Sequence, residues 1–182
     1  MKKLLRKFRN KLINELNLEK LIKEGLTVGK NFSYERGCRI DSSHCWLITI
    51  GDNVTFSFDV VILAHDSSTK LSLGYTKIGQ VFIGNNVFIG ARSIILPNIK
   101  IGNNVIIGAG SVVTKEVKDN CVVAGNPAKF ICTYDEYINK NQENLKKFPV
   151  FSEKYTKRNK KITSSMKKEM KKKLLNKMGY VE

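Results

Sequence analysis

The aliphatic residues in the middle of the chain recur with a period of six. Ten of eighteen positions are identical between residues 83–100, which read IGNNVFIGARSIILPNIK, and residues 101–118, which read IGNNVIIGAGSVVTKEVK. A period of six matches neither the turn of an α-helix nor the alternation of a single strand. It predicts a triangular coil with one short strand on each side. The aliphatic positions of the two repeats are Ile83, Ile89, Ile95, Ile101, Ile107 and Val113.

Successive coils are expected to stack and form the core, because one coil cannot bury its own apolar face. Each corner aliphatic should point inward, and the glycine that often follows it should supply unusual backbone angles for the turn. The frame continues upstream and gives about four coils, with insertions near residues 42–46 and 66–80. An ordinary β-sandwich does not keep a six-residue glycine register. The predicted fold class is therefore an all-β core, a parallel β-helix over residues 26–132.

The two ends of the chain have helical rather than coil-like patterns. Residues 2–23 place leucines at helical spacing between basic residues, which predicts a basic helix within an N-terminal cap, residues 1–25. The segment after Pro127 also turns helical, and residues 133–182 are interpreted as a basic C-terminal helical extension. The sequence thus predicts one central domain between two helical extensions.

The composition is that of a soluble globular protein. Apolar residues make up 42% of the 182 residues and charged residues 26%. No apolar run approaches the roughly 20 residues that span a bilayer, and no signal-peptide pattern begins the chain, so a cytoplasmic location is expected. The cysteines form no CxxC pair and are interpreted as reduced residues, and no metal site is predicted. They are Cys38, Cys45, Cys121 and Cys132.

The net charge of +16 resides entirely at the two ends. Residues 1–30 carry nine Lys/Arg and three acidic residues, residues 139–182 carry fourteen and four, and residues 31–138 carry nine of each. Nucleic-acid binders usually build basic and aromatic residues into the folded reading surface, so no nucleic-acid partner is predicted. The basic ends are interpreted as solvated helix faces, with peripheral attraction to an anionic membrane surface or an acidic glycan left open.

Two histidines, His44 and His65, are the candidate acid–base groups. His65 lies three residues after the corner Ile62, at the mouth of the longer insertion. The unperturbed pKa of imidazole is near neutral, so a histidine at this position is suited to take a hydroxyl proton. In the coil frame His44 should lie on a neighbouring coil of the same face. It could orient His65, contact an acceptor, or pack beside Trp46.

The repeat, followed by VVAGNPAK, resembles the hexapeptide-repeat acyltransferases. Within that family it is similar to maltose and galactoside O-acetyltransferases, and more closely to the acyltransferases of capsule and surface-glycan gene clusters. The resemblance covers residues 26–132. It implies a left-handed coil, acetyl-CoA as the acetyl donor, a homotrimer with each active site between two coils, and a histidine general base in the loop that His65 heads.

The resemblance also implies a cofactor groove. Phe88 occupies a position where relatives often carry a tryptophan beside the pantetheine, and the Ala91 N–H matches a donor that faces the thioester carbonyl. Cys132 stands where some relatives have a second basic residue near the CoA phosphates, which weakens the match at that end. The remaining implied cofactor contacts are Ala109, Thr114, Lys115 and Lys129.

The predicted reaction is direct transfer of an acetyl group from acetyl-CoA to a sugar hydroxyl, in capsule or surface polysaccharide biosynthesis. No cysteine lies near His65 in sequence to form an acyl-enzyme. Asp66 and His44 are the candidate assisting residues, and Ser67 and Tyr75 the candidate acceptor contacts. The main alternative is N-acetylation of an amino-sugar nucleotide. A non-catalytic β-helix scaffold is disfavoured because a Thr ladder is missing. A γ-class carbonic anhydrase is disfavoured because the paired-histidine spacing of its zinc sites is absent.

Overall fold

The computed structural model describes residues 16–158 and 161–182. The chain divides into two compact units, one ending at Tyr134 and the other beginning at Asp135. Most of the helix predicted over residues 2–23 lies outside the described residues. Its described end is α1 (Leu18–Lys23), which begins where the Asn17 side chain accepts a hydrogen bond from the Lys20 N–H.

The first unit is built from three sheets of parallel strands that form the sides of a coil. The first sheet contains β1 (Thr27–Val28), β4 (Ile48–Ile50), β9 (Val81–Ile83) and β12 (Ile99–Ile101). The second contains β2 (Ser33–Tyr34), β5 (Thr55–Phe56), β10 (Val87–Ile89), β13 (Val105–Ile107), β15 (Cys121–Ala124) and the antiparallel β16 (Lys129–Thr133). The third contains β3 (Arg39–Ile40), β6 (Val61–Ile62), β11 (Ile94–Ile95) and β14 (Val112–Val113).

Successive strands pass to successive sheets, so the predicted parallel β-helix is confirmed. Ile83 pairs with Ile101, an offset of 18 residues. Ile40 pairs with Ile62, an offset of 22, and Ile50 pairs with Ile83, an offset of 33. Against the regular 18, four residues are inserted in the first coil (22 − 18) and fifteen in the second (33 − 18). At these insertions the chain can place binding or catalytic residues without disturbing the stacked coils.

The inward-pointing corner residues form the core, as the repeat predicts. Each is almost completely buried, and each contacts its equivalent in the next coil through the strand register. Full burial of such a side chain contributes about 1.5–3 kcal/mol. The stacked sets are Ile50, Ile83 and Ile101; Phe56, Ile89 and Ile107; and Ile62, Ile95 and Val113.

The prediction that the repeat glycines supply unusual backbone angles is wrong. Gly84 and Gly90 do not have a positive φ. They are required because the coils approach closely: a Cβ on Gly84 would lie 2.7 Å from the Gly102 carbonyl oxygen. The left-handed backbone falls two residues after Gly84, at Asn86, which has a φ of 57°. Asparagine tolerates this region better than most residues.

These asparagines also link the coils through their side chains. The Asn53 amide donates to Asn86 (3.0 Å), Asn86 donates to Asn104 (2.9 Å), and Asn104 donates to Asn120 (2.9 Å). Each residue thus satisfies its turn conformation and binds the neighbouring turn. One corner of the coil is therefore held by a continuous ladder of amide hydrogen bonds.

The remaining elements comprise a hairpin in the longer insertion and the second unit. The hairpin pairs β7 (His65–Asp66) with β8 (Lys77–Ile78), with the short α2 (Lys70–Leu73) between them. Beyond the coil lie α3 (Tyr134–Lys147), β17 (Val150–Phe151), α4 (Ser164–Lys173) and β18 (Tyr180–Val181). Every helix in the described ranges is too short or too polar to cross a bilayer.

Substitutions of Asn86 separate backbone strain from side-chain bonding. We expect Asn86→Ala to lower the free energy of unfolding by about 2–3 kcal/mol, because it loses the ladder and strains the left-handed turn. Asn86→Gly should cost less, about 1 kcal/mol, because glycine adopts that φ freely. Denaturant unfolding at fixed protein concentration measures both, with the exposed Lys100→Ala as the control. Equal losses in the two variants would contradict a role for backbone strain.

Candidate active site

His65 lies at the root of the longer insertion, where the chain leaves the coil. It begins β7 three residues after the buried Ile62. Its backbone pairs with Ile78 in the hairpin, and its side chain is 33% exposed. The imidazole is therefore fixed on a rigid strand and still open to a ligand.

Asp41 holds the His65 ring from the coil below. The Asp41 Oδ2 atom lies 2.5 Å from His65 Nδ1, and the Asp41 side chain is only 1% exposed. The same carboxylate accepts hydrogen bonds from the backbone N–H groups of Ala64 (3.0 Å) and Ser43 (2.9 Å). With Nδ1–H donating to Asp41, the Nε2 atom carries the lone pair that a general base needs.

The electrostatics of Asp41 favour its ionised form. Burial raises the pKa of the carboxyl, but the hydrogen bonds from His65, Ala64 and Ser43 outweigh burial and lower the pKa below its usual value. A buried carboxylate that stays ionised can stabilise the imidazolium that forms when His65 takes a proton. Sequence reasoning missed Asp41, although it directly follows the corner Ile40.

His44 is brought next to His65, but no hydrogen bond joins them within the described residues. The two ring centroids lie 5.3 Å apart at an interplanar angle of 47°, and the centroid of the Trp46 ring also lies 5.3 Å from that of His44. His44 Nδ1 is buried and has no hydrogen-bond partner in the part of the chain that the structure describes. Asp41, rather than His44, is therefore the residue that orients the His65 ring through Nδ1.

Asp66 points to a different partner. Its carboxylate contacts Lys77 Nζ at 2.5 Å and accepts a hydrogen bond from the Ser68 N–H at 2.8 Å. The hydrogen bond from Lys77, with that from Ser68, lowers the pKa of Asp66 to about 2. Both contacts lie within the hairpin, so Asp66 braces the insertion that His65 begins.

The candidate acceptor contacts lie on this same insertion. The Ser67 hydroxyl is 3.3 Å from the Thr76 hydroxyl, across the hairpin. The Tyr75 side chain is exposed, and its carbonyl accepts a hydrogen bond from the Thr69 hydroxyl at 2.8 Å. Both residues therefore sit on a braced loop beside the candidate base.

The candidate cofactor residues occupy two successive corners and one face of the coil. Ala91 and Ala109 follow β10 and β13, at equivalent corners of neighbouring coils, and no acceptor for the Ala91 N–H is found within the described residues. Thr114 and Lys115 follow β14, at the corner from which His65 also leaves the coil. All four flank the third sheet.

The other two candidates lie on the second sheet. Phe88 projects outward from β10 and lines a shallow cleft of about 260 Å³ with Thr55, Ile106 and others. Lys129 is exposed at the start of β16, opposite Ala124. The structure therefore does not gather the six candidates at one point but spreads them along the coil, as an extended ligand would require.

Asp41, His44 and His65 form the one group within the described residues whose donor atoms could jointly hold a metal ion. One donor atom of each lies within 4.8 Å of the other two. The coil frame predicted that His44 and His65 share a face, but the sequence did not indicate that Asp41 joins them.

Comparisons with known proteins agree with this architecture. The family model for the bacterial transferase hexapeptide (six repeats) matches residues 80–115. Protein CapG of Staphylococcus aureus is 44% identical over 79% of this chain and 85% of its own length. The putative acetyltransferase YvoF of Bacillus subtilis is 37% identical over 67% of this chain and 66% of its own length.

Solved structures give the same result. A maltose O-acetyltransferase from Clostridium difficile is 32% identical with a TM-score of 0.52, covering 72% of this chain and 84% of that one. A galactoside acetyltransferase in complex with coenzyme A is also 32% identical with a TM-score of 0.52, covering 66% and 72%. The chain belongs to the hexapeptide-repeat acyltransferase family, and the prediction of an acetyltransferase is confirmed.

The Asp41 carboxylate is expected to make stability depend on pH. Its folded pKa lies below its unfolded value of about 3.9, so its stabilisation is present above that pH and is lost as the pH falls through the folded pKa. We expect Asp41→Asn to lower the free energy of unfolding by about 1–3 kcal/mol at pH 7. The difference from wild type should shrink below about pH 4.

Denaturant unfolding across this pH range, at one protein concentration, measures the effect. Asp66→Asn is the matched control, because the ion pair of Asp66 with Lys77 is exposed and screened by water. A deficit in Asp41→Asn that stays constant down to acid pH would show that the charge of Asp41 does not stabilise the fold.

Proposed function

We propose that this protein transfers an acetyl group from acetyl-CoA directly to a sugar hydroxyl, with His65 as the general base. The observation that carries the proposal is the buried Asp41 bonded to His65 Nδ1 at the root of an exposed insertion. The donor and the sugar are supported by the similarity to maltose and galactoside acetyltransferases, one of them in complex with coenzyme A. The resemblance to capsule-cluster enzymes supports a surface polysaccharide as the product, and supports a left-handed coil.

The proposed reaction proceeds in one displacement. The acceptor oxygen attacks the thioester carbonyl carbon while its proton passes to His65 Nε2, and Asp41 stabilises the resulting imidazolium. The Ala91 N–H is a candidate donor to the oxyanion. The C–S bond then breaks, and the proton on His65 neutralises the departing CoA thiolate. The protein gains or loses no atom or electron over the cycle.

The environments of Cys38 and Cys45 support direct transfer. Cys38 and Cys45 are buried, and burial raises the pKa of the Cys38 thiol above its usual value. A thiol that resists ionisation is a poor nucleophile. The proposed alternative to a covalent step is proximity: the coil holds the donor along its edge and the insertion brings the acceptor to His65.

A sugar acceptor also suits the surroundings of the base. Trp46 is 57% exposed, and its ring lies beside His44, which in turn lies beside His65. Exposed aromatic faces near a few polar groups are typical of small-ligand sites. N-acetylation of an amino-sugar nucleotide stays the second candidate, because it needs the same base and the same donor.

Acetyl-CoA-dependent thiol release tests the function against a panel of sugars, sugar nucleotides and amino-sugar nucleotides. We expect activity with a hydroxyl acceptor, and His65→Ala should lower kcat by about 10²–10⁴-fold. Asp41→Asn should lower kcat by roughly tenfold or more because it alters the charge and orientation behind the base. Asp66→Asn, the control carboxylate in the hairpin, should have a smaller effect.

Three results would contradict parts of this proposal. Near-normal kcat in folded His65→Ala would remove His65 as the base. An acetyl-protein adduct that turns over with acceptor would replace direct transfer by a covalent mechanism. Acetylation of amino groups alone would favour the amino-sugar nucleotide reaction.

A homotrimer is the proposed assembly, as the family resemblance implies. The outer faces of the coil carry exposed aromatic side chains, including Phe82 and Phe88, that subunit contacts would cover. Sedimentation equilibrium should give a mass of about 62 kDa, three times the chain mass of 20.6 kDa. A stable and fully active monomer would contradict the proposal that each site forms between two subunits.

A further inference from the structure

We infer that Asp41, His44 and His65 form a binding site for a divalent transition-metal ion such as Zn²⁺, and that an ion bound there blocks the enzyme. The binding site stands on the geometry of the three side chains alone. The blocking effect rests on the proposed function, because it requires His65 to act as the base.

The three side chains converge from two levels of the coil. Asp41 directly follows β3, His44 lies in the four-residue insertion of the first coil, and His65 begins the longer insertion of the second. One donor atom of each lies within 4.8 Å of the other two. A cluster of this kind needs both insertions, since the regular repeat brings no such groups together.

The donor set has the chemistry that borderline metals prefer. Two imidazole nitrogens and one carboxylate oxygen, with a further position open, form the usual three-ligand arrangement for Zn²⁺ and for related ions. Metal ligands must be deprotonated, and an aspartate carboxyl is ionised at neutral pH. The partial exposure of His65 gives an ion access from solvent.

His44 provides the second observation that points to a ligand. Its Nδ1 atom is buried and has no hydrogen-bond partner within the described residues. A buried polar atom without a partner costs about 1–3 kcal/mol, and most such atoms in folded proteins are satisfied. Coordination would supply the missing partner, while the N–H groups of Ala64 and Ser43 hold the Asp41 carboxylate from behind.

Small movements suffice to convert the cluster into a coordination site. At metal–ligand distances of about 2.0–2.1 Å, tetrahedral donors stand about 3.3 Å apart. The 2.5 Å separation of Asp41 and His65 must therefore open by about 0.8 Å. The widest separation, at most 4.8 Å, must close by up to about 1.5 Å.

Metal binding and the proposed catalysis compete for the same imidazole. An ion coordinated by His65 displaces the proton between His65 and Asp41, or takes the lone pair that would accept the acceptor proton. Binding should therefore release protons. The ion should inhibit rather than activate.

Trp46 gives a direct readout of this site. It is the only tryptophan in the chain, and its ring lies 5.3 Å from His44. Co²⁺ is titrated into the full-length protein after removal of chelator, and both Trp46 fluorescence and the visible absorption of the ion are followed. We expect saturable quenching with one ion per chain at pH 7.5.

Variants distinguish this site from other metal-binding groups. His44→Gln and Asp41→Asn should each weaken Co²⁺ binding by roughly tenfold or more, whereas Asp66→Asn should bind as wild type. Circular dichroism verifies that each variant is folded, and His44→Gln keeps the test valid should Asp41→Asn unfold. The absence of saturable quenching, or unchanged affinity in folded His44→Gln, would overturn the site.

The inhibitory effect is measured separately, with Zn²⁺ added to the acetyl-transfer assay. Loss of activity over the concentration range in which Zn²⁺ displaces Co²⁺ supports the inference. Activation by Zn²⁺ would overturn the blocking role and make the ion part of catalysis. If the protein binds Co²⁺ at this site but acetylates none of the acceptors, the proposed function is contradicted and the metal site is still supported.

Discussion

The close stacking of one coil on the next is the constraint on which the rest of the structure depends. A Cβ on Gly90 would lie 2.5 Å from the Ala109 nitrogen, so the corner accepts only glycine. That proximity lets each turn donate its backbone N–H groups to the turn above, as Gly90 does to Ile107 at 2.8 Å. The buried aliphatic column then follows from register, because equivalent residues must lie directly over one another.

Because the stack is rigid, the positions of the insertions indicate where functional side chains can leave the coil. A coil of eighteen residues has no spare backbone, so extra residues must leave at a corner and return to the same register. The four-residue insertion carries His44 and the fifteen-residue insertion begins with His65. Because the coils beneath them are fixed, the positions of these side chains relative to Asp41 are set by the stack rather than by the loops.

The six-residue pattern predicted the fold well because each position of the repeat occupies the same place in every coil. Coil geometry requires a buried aliphatic residue at Ile89 and a residue without a Cβ at Gly90, and both requirements can be recognised in the sequence. The reason for the glycines was misread, because a close approach and a positive φ both select glycine; only the structure separates them. Asp41 was missed because its significance depends on pairing across an irregular 22-residue offset. His65 as the base stays a prediction.

The two carboxylates near His65 show that environment, not sequence distance, decides which one can assist it. Asp66 is adjacent in sequence, yet β-strand geometry turns neighbouring side chains to opposite faces, and Lys77 pairs with it in exposed surroundings. Asp41 is 24 residues away but buried against the imidazole and held by two backbone N–H groups. An exposed charge is screened by water, whereas a buried charge acts on its neighbour at low dielectric. In the proposed reaction and in the proposed metal site alike, Asp41 would act through the same property, a buried charge held against the His65 ring.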